Sequence, residues 1–259
     1  MNKFSPSILY RCNNYILTSK ASGQVCQPGK VKTRLGFKKH TVVLDELKKK
    51  YSDEKDITEW RNVQRLDIGV TGGLIIATNK NSAIQFSRNL KEGGNAGYKI
   101  IRRYVALLNP NSNSSRGLPE EGRIVTNNNK MITLYKQFDE NCYIFELVSG
   151  MKHQIRIHAS KVLEAPVYND LLYKGSPVGD DPVQIALHSA FVKTKIGFNI
   201  REHSIPMPYH NKTLWDPKYI ADGGYFIPEI GRILEEGFDS KELEVVDKRT
   251  KYIRHTEAK

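Results

Sequence analysis

Three stretches of the chain carry side chains able to do chemistry: "RLDIGVTGG" from Arg65, "RRYVALL" from Arg102 and "GMKHQIRIH" from Gly150. In the first, Asp67 stands beside a cation and just ahead of the apolar run Leu74–Ala77. Burying an ionised carboxylate costs several kcal/mol unless a partner compensates it. Asp67 therefore either caps a surface turn or is held by a cation from elsewhere in the chain. In the second, Tyr104 is an aromatic flanked by Arg102 and Arg103; a strand tyrosine is most often a core residue. In the third, Lys152, His153, Arg156 and His158 form a cationic cluster. Together they supply one carboxylate, one ring for stacking and one cation, Arg156, to pair with the carboxylate. A ring and a cation are what a protein needs to receive an unstacked nucleobase. A carboxylate paired with arginine stays ionised, and in a dry pocket it can act as nucleophile or base towards a sugar carbon or a base ring. His153 and His158 do not have the His-Glu-x-x-His zinc spacing. They, like His188 and His203, are expected to be hydrogen-bonded structural histidines, and no metal site is predicted.

The elements that must position these groups are legible in outline. Residues 8–20 predict a hairpin turning at Asn13-Asn14. Residues 44–56 predict a short exposed helix or loop. Ala83, Phe86 and Leu90 recur at helical spacing, with Ser82 as the expected N-cap and Gly93-Gly94 as the stop. Residues 98–108 are rich in β-branched and aromatic types and end at Pro110, which predicts a strand. Residues 109–122 predict a polar loop, "MITLYKQF" and "CYIFELVSG" two strands joined at Asp139-Glu140-Asn141, and "HQIRIHASKVL" a helix packing Ile155, Ile157 and Val162. Residues 184–198 predict a further hairpin-like pair, and "IPEIGRILEEGF" a helix. Strands outnumber helices and do not alternate with them. The predicted class is α+β, a mostly antiparallel mixed sheet with flanking helices. Residues 1–240 are expected to form one domain and 241–259 a charged, loosely held tail.

At 259 residues the chain needs no disulfide or metal to build its core. Its 40 basic and 28 acidic residues leave a net charge of +12, which favours a polyanionic partner, nucleic acid before membrane. No acid precedes Asp45, whereas Lys3, Arg11, Lys20, Lys30, Lys32, Arg34, Lys38 and Lys39 do, so this block is expected to face RNA or DNA. Cys12, Cys26 and Cys142 are too scattered for a disulfide framework, which fits a reducing compartment. No apolar run approaches the ~20 residues of a membrane span.

These residues resemble the RluA-type pseudouridine synthases. "RLDIGVTGGLIIAT" is similar to that family's catalytic motif, Arg-Leu-Asp followed by a Ser/Thr-Gly and an apolar strand. "ILYRCNNYILTSKASG" is similar to its opening strand pair, "RRYVALL" to its Lys-x-Tyr-x-Ala strand, and "GMKHQIRIHAS" to its Gly-Arg-x-His-Gln-Ile/Leu-Arg-x-His motif. "PVYNDLLYKG" is similar to its Pro-x-x-Gly-Asp-x-x-Tyr-Gly segment and "IALHSAFV" to its Leu-His-Ala strand. The matches run in the family's order over residues 8–210. The chain departs from the family's pattern at Ala21 (proline), Gln64 (histidine), Val70 (threonine), Met151 (arginine) and Asn169 (glycine). Size and the lack of extra domains most resemble the small fungal mitochondrial enzymes that modify large-subunit ribosomal RNA.

The resemblance implies the pseudouridine synthase catalytic-domain fold and an isomerase. Such an enzyme rotates a uridine out of the RNA, breaks the bond between uracil N1 and the sugar, and rejoins the ring through C5. The reaction has no net redox change or hydrolysis, so no metal or coenzyme is implied. Asp67 takes the required carboxylate role, as attacker of sugar or ring or as base for the sugar's 2′ proton. Tyr104 stacks on the uracil, Arg156 pairs with Asp67, and Ile155 walls the uracil pocket. Arg65 fills the gap left by the flipped base, and Lys152, Arg102 and Arg103 are further RNA contacts. The expected partner is RNA, ribosomal RNA first, with no small-molecule cofactor and no membrane. The expected state is a monomer in the mitochondrion, with cytoplasm or nucleus as alternatives. Competing readings are a tRNA-specific synthase, a non-catalytic RNA-binding or ribosome-assembly protein of the same fold, and a glycosidic hydrolase. The hydrolase requires a second carboxylate facing Asp67 at roughly 5–10 Å, and the motifs are expected to offer none.

Overall fold

The computed structural model describes residues 6–28, 31–33, 36–38, 40–92, 96–109, 118–179, 183–207, 213–239, 243 and 245–246. In chain order, β1 (Ile8–Arg11) and β2 (Tyr15–Lys20) form the expected hairpin, and β3 (Val31–Thr33) and β4 (Gly36–Lys38) form a separate ribbon. Next come α1 (Val43–Lys50), β5 (Arg61–Asn62), β6 (Thr71–Ala77), α2 (Lys80–Glu92), β7 (Lys99–Leu107), β8 (Glu121–Thr126), β9 (Met131–Gln137) and β10 (Cys142–Leu147). The chain continues through α3 (Gln154–Lys161), β11 (Leu187–Ile196), β12 (Asn199–Ser204), α4 (Pro228–Glu236) and β13 (Val245–Val246).

One sheet runs in the order β1-β2-β6-β11-β7-β10-β9-β8-β13, with β5 added to β6 and β12 to β11. Its neighbours are antiparallel except for β6 with β11 and β8 with β13. The class is therefore α+β with a mostly antiparallel sheet, as the composition of the elements predicts.

Strand alternation decides which side chains share a face. On the central strand β7, Tyr104 lies opposite Phe145 of β10, which lies opposite Tyr135 of β9. Arg103 lies opposite Glu146 and so points to the other face. Helix α2 covers the Tyr104 face further along the strand, packing Phe86 with Ile100, Val192, Ile75 and Leu17. Helix α3 lies on the same face, because its Gln154 bonds Thr133, two residues before Tyr135. Helix α4 covers the opposite face, where its carbonyls reach Arg103.

Four expectations are corrected. The N-cap of α2 is Asn79, whose Oδ1 accepts from Ser82 N–H at 2.8 Å, while Ser82 is buried and donates to Asn14. The Gly93-Gly94 stop lies outside the described residues. The polar loop expected through 122 ends earlier, since β8 begins at Glu121 and alternates buried and partly exposed positions. The tail expected from 241 contains part of the core: Val246 and Leu243 are buried, and β13 pairs with β8. The basic N-terminal block is corrected at two positions. Lys20 is fully buried and Arg11 pairs with Glu54, whereas the side chains of Lys3, Lys30, Lys32, Arg34, Lys38 and Lys39 lie outside the described residues. Among the described residues no helix is long and apolar enough to cross a membrane.

Candidate active site

Asp67 sits in the turn between β5 and β6, and that turn is braced from every side. Buried backbone groups need partners, and here each carbonyl finds one. Asp67 O accepts from Val70 N, Ile68 O from Gly23 N, and Gly69 O from Ile185 N. Lys20, at the end of β2, extends its ammonium beneath the turn and donates to Ile68 O at 3.2 Å, Val70 O at 2.6 Å and Ala21 O at 3.0 Å. Burial lowers this lysine to about 8. The "TGG" after the turn also has a steric reason. Gly72 has φ +111°, and a Cβ there would stand 2.4 Å from Ser189 O, so β6 can approach β11 only with glycine at this position. His188 on β11 fixes the same junction. Its Nε2 faces the carbonyl of Ile205, which can only accept, so Nδ1 accepts from the Thr71 hydroxyl at 2.8 Å.

Arg156 arrives from α3. The helix start is anchored by Gln154, whose amide donates to Ile132 O and Thr133 Oγ1 and whose carbonyl accepts from Met151 N and Ser149 Oγ. Arg156 Nη1 donates to Asp67 Oδ2 at 2.9 Å. Its Nε and Nη2 form a two-pronged pair with Asp170, at 2.6 and 2.7 Å. Burial lowers the guanidinium's proton affinity, but Asp170 first and Asp67 second outweigh it and leave Arg156 above its ordinary value. Asp170 is 1% exposed, whereas the Asp67 side chain is 26% exposed and so opens to solvent rather than being sealed in a dry pocket.

Tyr104 is buried on β7 and lines the same cleft as Asp67, Arg156, Ile155, Arg65, Val70, Met151 and His153. Burial raises its phenol, opposed by Arg102 and Ser189 and reinforced by Asp67. The hydroxyl is therefore protonated at ordinary pH, and Tyr104 offers the cleft a ring and a donor rather than a ready base.

The remaining predicted residues separate. Arg65 is exposed at the cleft with one long contact to Gln27, at 3.5 Å. Lys152 is exposed on the loop before α3. Arg103 is corrected: it is buried on the far face, bonded to Glu146 and to the Leu234 and Glu235 carbonyls of α4, and lies out of reach of RNA in the cleft. Arg102 is also buried, on the Tyr104 face. His158 and His188 are structural as expected; both are pushed down to about 4 by burial, and His158 bridges Thr126 and Thr133.

Two groups were missed by sequence reasoning. His153 was read as structural, yet its Nε2 stands 3.6 Å from Asp67 Oδ1 while Nδ1 meets the Tyr173 hydroxyl at 2.9 Å. The Tyr173 ring also packs under the Arg156 guanidinium. Asp170 overturns the expectation that no second acid occurs in the motifs; it stands in "PVYNDLLYKG". Because both its oxygens are held by Arg156 and it is closed to solvent, it positions the arginine and does not face a substrate as a hydrolase's second acid must. Its neighbour Asn169 adopts φ +65°, a conformation that asparagine tolerates in place of glycine. Gln64 is buried and donates to Gly73 O.

Comparison with known proteins places the chain among its relatives. Residues 14–161 match the family model for RNA pseudouridylate synthases. The chain is 39% identical over 241 residues to the 21S rRNA pseudouridine(2819) synthase of Eremothecium gossypii, covering 91% of this chain and 90% of that protein. It is 37% identical over 248 residues to the protein of the same name from Saccharomyces cerevisiae, covering 90% and 96%. Among solved structures, human RNA pseudouridylate synthase domain containing 1 superimposes with a TM-score of 0.57 at 19% identity, over 90% of this chain and 95% of that one, a likeness of fold.

Proposed function

We propose a substrate, a compartment and a division of labour for this chain from one premise: it belongs to the RNA pseudouridylate synthase family. It is an RNA pseudouridine synthase, an isomerase. Its substrate is large-subunit ribosomal RNA of the mitochondrion, at the uridine equivalent to the one named for the fungal relatives, and it acts there as a monomer. Near-full-length identity to two 21S rRNA synthases supports this reading.

Asp67 is the reacting carboxylate. The observation that carries the assignment is its convergence with Tyr104 and Arg156 in one cleft, although the three come from a turn, a central strand and a helix far apart in the sequence. Arg156 occupies Oδ2, while Oδ1 makes no hydrogen bond among the described residues and stands 3.6 Å from His153 Nε2, which leaves it for the sugar or ring. Asp170 fixes the guanidinium so that the carboxylate is oriented before substrate arrives, which is where electrostatic catalysis gains most. The Tyr104 ring stacks on the rotated-out uracil against Ile155, and Arg65 enters the vacated stack. Flipping costs a few kcal/mol, less for a loop base already unstacked.

The test is a map of pseudouridine in mitochondrial and cytosolic RNA from cells with and without this protein, with re-expression of wild type or Asp67→Asn. Loss of one mitochondrial large-subunit site, restored only by wild type, is expected. Loss confined to tRNA or to cytosolic rRNA overturns the substrate, and restoration by the Asp67 variant overturns the role of the carboxylate.

A further inference from the structure

The described residues include four deeply buried cations, and three of them have acceptors. Lys20 donates to three carbonyls, Arg103 to Glu146 and two carbonyls, and Arg156 to Asp67 and Asp170. Arg102 is the exception. The residue is 6% exposed, its Nε is enclosed with no acceptor, and it makes no hydrogen bond or ion pair among the described residues. Glu146, the nearest carboxylate felt by its charge, is engaged by Arg103 on the other face. A largely buried guanidinium without a counter-charge is costly, and only Nε is fully enclosed, so the terminal nitrogens can take a partner that arrives from outside.

The position of Arg102 says what that partner is. Arg102 and Tyr104 are two residues apart on β7 and share the face that carries the cleft, a separation of about 7 Å. Its terminal nitrogens lie under Gly150, where a Cβ would stand 3.1 Å from Nη1. Gly150 does not have a left-handed φ, so the backbone does not require glycine there. The missing side chain leaves a path from solvent to the guanidinium, at the loop that carries Met151, Lys152 and His153. About 7 Å is also roughly one nucleotide along an extended single strand.

We propose that Arg102 receives a phosphate of the RNA strand adjacent to the uridine held over Tyr104, with Gly150 as the gap through which the phosphate oxygens reach it. The site rests on the reading of the cleft as the uridine site. A planar five-donor fork suits a phosphate's oxygens, and the RNA then supplies the counter-charge that the protein omits.

The test uses the full chain and a synthetic stem–loop RNA carrying the equivalent uridine, with Arg102→Met, Arg102→Lys and Gly150→Val beside wild type. Loss of one phosphate contact lowers the slope of log affinity against log salt by about 0.7 for single-stranded RNA. Arg102→Met is expected to show that drop, a roughly tenfold rise in Kd and KM, and a melting temperature no lower than wild type. Arg102→Lys keeps most of the slope, and Gly150→Val, which covers the guanidinium without removing it, reproduces the loss. An unchanged salt slope in Arg102→Met, or in Gly150→Val if the first variant does not fold, overturns the proposal. So does a melting temperature that falls in Arg102→Met with affinity unaltered. Failure of the uridine-site reading looks different: wild type then leaves the uridine unmodified, while the salt slopes still decide Arg102.

Discussion

The sheet buries an arginine–carboxylate pair on each face, and the two pairs do different work. On the α4 face, Arg103 Nε meets Glu146 at 2.6 Å and Nη1 donates to the Leu234 and Glu235 carbonyls at the end of α4. The result is a helix tied to a strand. On the cleft face, Arg156 holds Asp170 with two nitrogens and gives its last to Asp67, whose Oδ1 has only His153 near it, at 3.6 Å. The residue types and burial are alike. What separates a structural pair from a reactive one is a carboxylate that opens into a cleft on a rigid mount, and here Lys20, Gly72 and His188 provide the mount.

The strongest challenge to this contrast is Asp67→Asn. It keeps the shape and one hydrogen bond but removes the charge and nucleophilicity, so pseudouridine formation in an rRNA fragment is expected to fall by at least about 10³-fold. The melting temperature should stay within a few degrees, because Arg156 keeps Asp170. Residual turnover near wild type would move the chemistry to another group.

The next comparison sets the two supporting acids against each other. Asp170→Asn leaves a buried guanidinium short of its main partner, a loss of about 3–5 kcal/mol, and it should lower kcat by misaligning Asp67. Glu146→Gln should cost less, about 1–3 kcal/mol, because Arg103 retains its α4 carbonyls, and it should leave kcat unchanged. Urea unfolding together with single-turnover kinetics separates the two. Equal effects on kcat would erase the distinction between the faces.

Much of this was legible in the sequence because it is local. The β1–β2 hairpin, α2, α3 and α4 follow from periodicity and turn residues, and the motifs that hold Asp67, Tyr104 and Arg156 are each contiguous in the chain. What was hidden depends on long-range register. Arg102 and Arg103 look equivalent side by side, and only the pairing of β7 with β10 and β11 sends one to the cleft and the other to α4. Asp170 was passed over because a carboxylate's partner is invisible until α3 is docked. His153 was set aside for lack of metal spacing, although its neighbour is a carboxylate. The β13 strand escaped notice because two valines in a charged tail carry no periodicity.

Acid should act on the cleft face through His188, which pins Thr71 directly after the Asp67 turn. Burial holds its folded pKa at about 4, against about 6.5 when unfolded. Between those values the unfolded chain binds a proton that the folded one does not, so stability is lost as pH falls from 6.5 to 4, by up to about 3 kcal/mol. His188→Asn should be less stable at pH 7 yet lose less on acidification. Thermal melts at pH 7 and 4.5 measure this, and parallel losses in variant and wild type would remove His188 from the acid limb.

The smallest expected effect on the fold lies at Arg65, where its neighbour Gln64 gives an internal control. Arg65 is exposed with a single 3.5 Å contact, whereas Gln64 is buried and bonded to Gly73 O. An exposed polar contact of that kind is worth about 0–1 kcal/mol, so Arg65→Ala should shift the melting temperature by less than about 2 °C. If Arg65 enters the stack vacated by the uridine, the same variant should weaken productive RNA binding roughly tenfold. Gln64→Ala should do the reverse, lowering stability with little change in RNA affinity. Two adjacent residues on the approach to Asp67 would then divide as the two arginine pairs do, one committed inward and one left free for substrate. A melting loss at Arg65 without a change in RNA affinity would place it with the structural groups instead.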